Sequence, residues 1–313
     1  MNESLRRVPP AIIRTAALAA VPILAWALSA CSAGPMRPET RVPPPSTAAL
    51  TACFPVDTLS ADDRAVAERI LLTMGDGEGL YTLAGGLKPV SSGMLLSVRV
   101  APDLDQAAMD ALEQRRRVTA RLTCGEVGVF ALVFADAQTS ATKGTARVTE
   151  LVLYHRTSVT EAVRRHAGYF AALGITPSSD PREVLAAVEH APRADRWRGY
   201  GYLYGYPDHA VDFFVTAGIE GDATGKVVPR DFRRIETWTK HGDPSDKTPP
   251  LSMFVYAVPK GAAETDPERV LREAAAPIYR RYVEARRRFV APGTGGAVAL
   301  WRDWITSPAA TPR

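Results

Sequence analysis

Residues 199–214 read GYGYLYGYPDHAVDFF, and the way this stretch folds decides how the second half of the chain is built. Tyr200, Tyr202, Tyr204 and Tyr206 occupy every second position, with Gly199, Gly201, Leu203 and Gly205 between them. Side chains alternate across a strand, so this period of two predicts a strand over 199–206 with an aromatic ladder on one face and a nearly bare face opposite. Aromatic residues favour strands, and the rings are read first as core, with the glycines admitting a close neighbour. The other reading is a stacking platform, in which the four tyrosines bind a sugar or another flat ligand and their hydroxyls fix its orientation. Pro207 ends the strand, Asp208 is then an N-cap, and Gly218 is the stop of the helix that follows. His209 falls in the first turn of that helix and Asp212 lies three residues on, within its reach. A His–Asp dyad can orient a general base, so His209 and Asp212 are the candidate catalytic residues, although no nucleophile stands beside them in the sequence.

Working outward, several helices are marked by caps. Ser60 with Asp63 opens one carrying Val66, Ile70 and Leu71. Asp103 opens a second, Ser158 with Glu161 a third that Gly174 stops, and Asp180-Pro181 with Glu183 a fourth. Asp266-Pro267 opens the last, with a stripe of Leu271, Ala274, Ile278, Tyr282 and Phe289 interrupted by Pro277. Strands are predicted over 94–100, 127–134 and 146–154. The second of these, VGVFALVF, is apolar on both faces and therefore central. FRRIETWTK and LSMFVYAV form a hairpin around the turn-rich HGDPSDKTPP. The class is α+β with a mixed or antiparallel sheet. The order strand, helix, strand, strand, helix, short helix, strand over about 94–206 resembles a ferredoxin-like unit, and a C-terminal hairpin and long helix follow. That resemblance concerns pattern alone and implies no function.

Other chemistry-bearing residues are weaker. GDGEGLYTLAGGLKPVSSG, 75–93, is a turn-rich connector in which Lys88 is a candidate binding cation, but the order G-x-x-x-x-G-K-[ST] of a phosphate loop is missing. Ser140-Ala141-Thr142-Lys143 matches S-x-x-K without the S-D-N and K-T-G partners that motif needs. His166 sits on an apolar helix stripe and is read as core. His190 sits near a helix C-terminus, which favours a cation. No histidine has metal-ligand spacing, so neither a metal nor a cofactor is expected. Arg115–Arg117 and Arg280, Arg281, Arg286, Arg287 and Arg288 crowd two helices. These are read as solvated faces, or as contacts to anionic envelope polymers or lipids.

The 313 residues carry a formal charge of +4, and 46% are apolar, enough for a full core. Residues 1–30 hold Arg6, Arg7, Arg14 and Glu3, so two of those four charges leave with them. Of the three cysteines, Cys53 and Cys124 are a disulfide candidate, with two buried thiols as the other reading.

The N-terminus places the chain. Three arginines precede an apolar run from Ala16 to Leu28, shorter than the ~20 residues of a spanning helix and interrupted by Pro22. Leu28-Ser29-Ala30-Cys31 then resembles the lipobox of bacterial lipoproteins. The resemblance covers residues 1–31. It implies cleavage before Cys31, a diacylglycerol on its sulfur and an acyl chain such as palmitate on its new amino group. Several acyl chains make a stable anchor where one does not. Ser32 implies the outer membrane, with the chain facing the periplasm. The expected organisation is a signal peptide at 1–30, a Pro-rich tether at 31–57 and a globular domain at 58–313, with a split into subdomains near 175–195 left open. Extended as polyproline II, residues 32–52 would span roughly 60 Å. The expected function is a binding or assembly module of the cell envelope, with a hydrolase using His209 and Asp212 as the alternative; whether the chain is an enzyme is left open. Expected partners are the membrane, through the anchor, and an envelope polymer or protein. Nucleic acid is not expected outside the cytoplasm.

Overall fold

The computed structural model describes residues 53–306, apart from 85, 100–102, 135–145, 239–253 and 292. Helix α1 (Ala61–Asp76) starts where the Ser60 hydroxyl accepts from the Asp63 amide at 3.1 Å, as the sequence predicts. The connector that follows is partly helical: α2 (Gly79–Leu83) precedes β1 (Val90–Arg99). Next come α3 (Gln106–Thr119), β2 (Thr123–Cys124), β3 (Val127–Val133) and β4 (Ala146–His155). Asp105, not Asp103, caps α3, accepting from Ala108 N at 3.0 Å. Helices α4 (Arg156–Arg165), α5 (Ala167–Ala172), α6 (Pro181–Glu189), α7 (Arg193–Leu203) and α8 (Asp208–Thr224) follow. Gly174, at φ +73°, ends the α4–α5 run, and Asp180 and Glu183 form the predicted capping box of α6. The hairpin β5 (Arg230–Ile235) and β6 (Phe254–Pro259) leads to α9 (Asp266–Phe289) and α10 (Gly296–Thr306).

The four-stranded sheet is antiparallel in the order β1-β4-β3-β2, so β3 and β4 are central. Both its faces are covered. Leu151, Leu153, Val127 and Val129 join a core with α1, α2, α9 and α10, while Val152, Tyr154 and Leu132 join another with Val159, Val163, Val184 and Leu203. This two-sided burial is why β3 reads as a continuous apolar run. The hairpin forms a separate two-stranded sheet. The described residues fall in one compact unit, with no division near 175–195. Residues 53–57, assigned to the tether by sequence, belong to that unit. Cys53, Phe54 and Val56 are buried, and the Phe54 ring meets Trp301 edge-on at 5.7 Å.

The strand predicted at 199–206 is instead the end of α7 and a turn. The Tyr204 amide donates to the Tyr200 carbonyl at 2.7 Å, and Gly205 turns the chain at φ +70°. The predicted strand, helix, strand, strand and helix are all present, with the short β2 added before β3, and a helix stands where a last strand was expected. The period of two has another origin. On a helix Tyr200 and Tyr204 share a face, and their rings stack at 5.5 Å and 18°. Tyr202 points to another side, stacked on His166 at 3.6 Å. Gly201 sits where α7 crosses α8, and a Cβ there would come within 2.7 Å of the Val211 side chain. Pro207, not Asp208, is the N-cap of α8, and the helix runs past Gly218 to the left-handed Gly225.

Candidate functional site

Helices α7 and α8 and the hairpin enclose a pocket of about 320 Å3. Helix α7 contributes Trp197, Tyr200, Gly201 and Tyr204, and the turn after it Tyr206. Helix α8 contributes Ala210, Val211 and Phe214, and the hairpin Phe232, Val255, Tyr256 and Ala257. The rings support one another: Tyr204 to Tyr206 at 5.8 Å, Tyr206 to Tyr256 at 5.7 Å and Trp197 to Phe214 at 5.8 Å. Two hydroxyls are already engaged behind the pocket. Tyr200 donates to Glu189 Oε2 at 2.5 Å, and Tyr204 accepts from the Ser92 hydroxyl at 3.0 Å. What these two residues offer a ligand is ring faces rather than donors. Phe214 and Phe232 are 39% and 56% exposed, a large apolar surface to leave in water. Tyr200, Tyr204 and Tyr206 thus come together in a pocket, while Tyr202 lies on the opposite side of α7.

Beneath the tyrosines lies a polar cluster closed off from solvent. Lys88 Nζ is 3.1 Å from Glu78 Oε2 and donates to the Tyr204 carbonyl at 3.0 Å. The Phe254, Tyr204 and Tyr206 rings surround it at 4.2, 4.9 and 5.1 Å. Burial pushes the Glu78 carboxyl up and the Lys88 ammonium down, and each opposes that shift in the other. Lys88 is completely buried, which removes it from the binding role the sequence suggested. Glu78 also accepts from the Ser92 amide at 2.7 Å, and its own carbonyl accepts from the Ser91 hydroxyl at 3.1 Å. Glu150 on β4 is buried close by. Burial raises its carboxyl to about 7, against the pull of hydrogen bonds from Ser92 and the Gly93 amide.

A second cavity, about 610 Å3, opens between α4, the 205–207 turn and the start of α9. Several of its polar groups already have partners. His166 Nε2 lies 3.6 Å from Asp208 Oδ1. The Ser158 hydroxyl is 3.1 Å from His155 Nδ1 and accepts from the Gly86 amide at 3.0 Å. His209 Nε2 lies 3.6 Å from Glu268 Oε1 and 3.5 Å from Thr265 Oγ1, longer than a good hydrogen bond. Asp212 instead pairs with Arg198 of α7. The His209–Asp212 dyad is therefore not formed: the two side chains leave α8 toward different helices.

Cys53 and Cys124 are joined as a disulfide with Cα atoms 4.5 Å apart. Cys31 and the Ser140–Lys143 tetrapeptide lie outside the described residues. Sequence reasoning missed Trp197, Phe214, Phe232 and Tyr256 as companions of the tyrosines. The available signals were Trp197 just before the stretch, Phe213-Phe214 just after it and Phe232 in the hairpin, which a period-two strand gave no reason to gather. No family model, curated protein or solved structure matches this chain.

Proposed function

We propose that this chain is a lipid-anchored protein of the cell envelope that works as a binding module, with the aromatic pocket between α7, α8 and the hairpin as its ligand site. The resemblance of Leu28–Cys31 to a lipobox supports the anchor, and Ser32 after it supports the periplasm-facing outer-membrane location. The observation that carries the binding reading is the pocket itself: about 320 Å3, walled by rings whose polar ends are partly consumed elsewhere. Apolar walls with few polar groups are the usual make-up of a small-molecule site. The hydrolase alternative has no comparable support, because His209 and Asp212 are paired with other residues.

The test is titration of the full chain with the neutral fluorophore N-phenyl-1-naphthylamine. Val255 is half-buried on the pocket wall, and Val255→Phe fills that space without opening the core. The parent should bind with a rise in emission, and Val255→Phe should weaken binding about tenfold or more, a loss of about 1.4 kcal/mol. Equal binding by parent and variant refutes the site.

A further inference from the structure

The register of the hairpin sets two arginines at the rim of the pocket, neither of them among the residues that line it. Arg230 pairs with Pro259, Phe232 with Ala257 and Arg234 with Val255. Alternation puts these six on one face of the two strands, and Phe232, Val255 and Ala257 of that face line the pocket. Residues directly opposite across an antiparallel pair have Cβ atoms about 5 Å apart, which sets Arg234 next to the Val255 wall. Arg230 and Arg234 flank Phe232 at about 7 Å to either side along the strand. The face holds two arginines and no acid. The strand's acidic residue, Asp231, points to the other face and accepts from the Gly261 amide at 2.8 Å. Arg233, also on the other face, is 3.4 Å from Glu268. Arg234 is exposed and, among the described residues, has no carboxylate partner, while Arg230 donates only to the Val228 carbonyl at 3.1 Å. No Asp or Glu stands among the described residues that line the pocket.

We infer that the ligand is a small amphipathic anion. Its aromatic or compact apolar body lies against the tyrosine rings, and its carboxylate, sulfonate or phosphate group is held by Arg234, with Arg230 farther along the strand adding to the positive potential. The inference rests on the pocket being the binding site and adds the charge of what it binds. The guanidinium suits such a group because its planar fork meets two oxygens at once. A pocket of about 320 Å3 is at the small end for ligand sites, which suits a free molecule of one or two rings rather than a two-chain membrane lipid.

The experiment compares two probes of nearly the same shape on the full chain: 8-anilinonaphthalene-1-sulfonate, which is anionic, and neutral N-phenyl-1-naphthylamine. The anion should bind about tenfold more tightly, Arg234→Gln should remove that advantage while leaving the neutral probe unchanged, and added salt should weaken only the anion. Arg230→Gln should reduce the advantage in part. If both probes bind equally and Arg234→Gln changes neither, the inference is overturned and the pocket stands as a neutral site. If neither probe is sensitive to Val255→Phe, the pocket reading falls and takes this inference with it. Both arginines are at the surface, so circular dichroism of each variant should match the parent.

Discussion

Glu150→Gln should stabilise this protein at alkaline pH and do almost nothing at acid pH. Glu150 sits on central strand β4, 5% exposed, and burial lifts its carboxyl from 4.5 to about 7 in the folded state. A folded value above the unfolded one means that the folded chain holds the proton more tightly. The stability this contributes is complete below about 4.5 and lost as pH rises through about 7. At 1.36 kcal/mol per unit the whole loss is about 3 kcal/mol, of which roughly 2.5 falls between pH 5 and pH 8. Gln keeps the shape and an acceptor for the Gly93 amide, but carries no charge to desolvate. For a fold of this size each kcal/mol is worth about 2–4 °C in Tm. From pH 5 to pH 8 the parent should therefore lose about 5–10 °C more than Glu150→Gln, read by circular dichroism melts across that range. The comparison cancels the shared titrating groups that do not interact with Glu150; Glu78 and Glu189 do interact, and their charges push its carboxyl up further. If the two Tm curves stay parallel from pH 5 to pH 8, Glu150 is not a buried titrating carboxyl and the reasoning is wrong.

Lys88→Met strands the Glu78 carboxylate inside the core and should cost about 3–5 kcal/mol in urea unfolding, with most of it recovered in Glu78→Gln/Lys88→Met; a single variant as stable as the parent would refute a closed ion pair. Replacing Cys53 and Cys124 by Ser opens a link spanning 71 positions and should cost about 4 kcal/mol by chain entropy, so the variant should unfold at lower urea than the oxidised parent and at the same urea as the reduced parent. Cys31→Ser should abolish palmitate labelling and leave uncleaved precursor; a variant that still labels and fractionates with outer membrane rules out the lipobox.

The sequence was most legible where structure is local. Ser60, the Asp180–Glu183 box and the left-handed Gly174 act within a few residues, and the structure uses them as read. The two-sided apolar character of VGVFALVF places β3 inside the sheet because burial on both faces has no other pattern. The 199–206 stretch failed for a physical reason. Small residues at 199 and 201 serve contacts in different directions, to Val188 and to Val211, so their alternation with tyrosine imitates the two faces of a strand. The ion pair of Lys88 was also hidden. Its cage comes from residues 78, 204, 206 and 254, and nothing within ten residues of a lysine signals that rings from the far end of the chain will close over it. The pocket shares this property, since α7, α8 and the hairpin each hold only part of its wall.

The junction at Cys53 also has a mechanical meaning. A pull on the chain from its N-terminal side meets a covalent cross-link when it reaches this residue. Cys53 is bonded covalently to Cys124 at the edge of the sheet, and Arg302 of α10 clasps the same segment, donating to the carbonyls of Cys53 and Phe54 at 2.9 and 2.8 Å and to Asp57 at 2.9 Å. Tension is thus shared at once between the sheet and the C-terminal helix, two elements far apart in sequence, instead of peeling residues 53–60 away one hydrogen bond at a time. While the disulfide is intact, drag on the body loads a covalent link. Once it is reduced, the same pull falls on the Arg302 hydrogen bonds and the buried Phe54 ring.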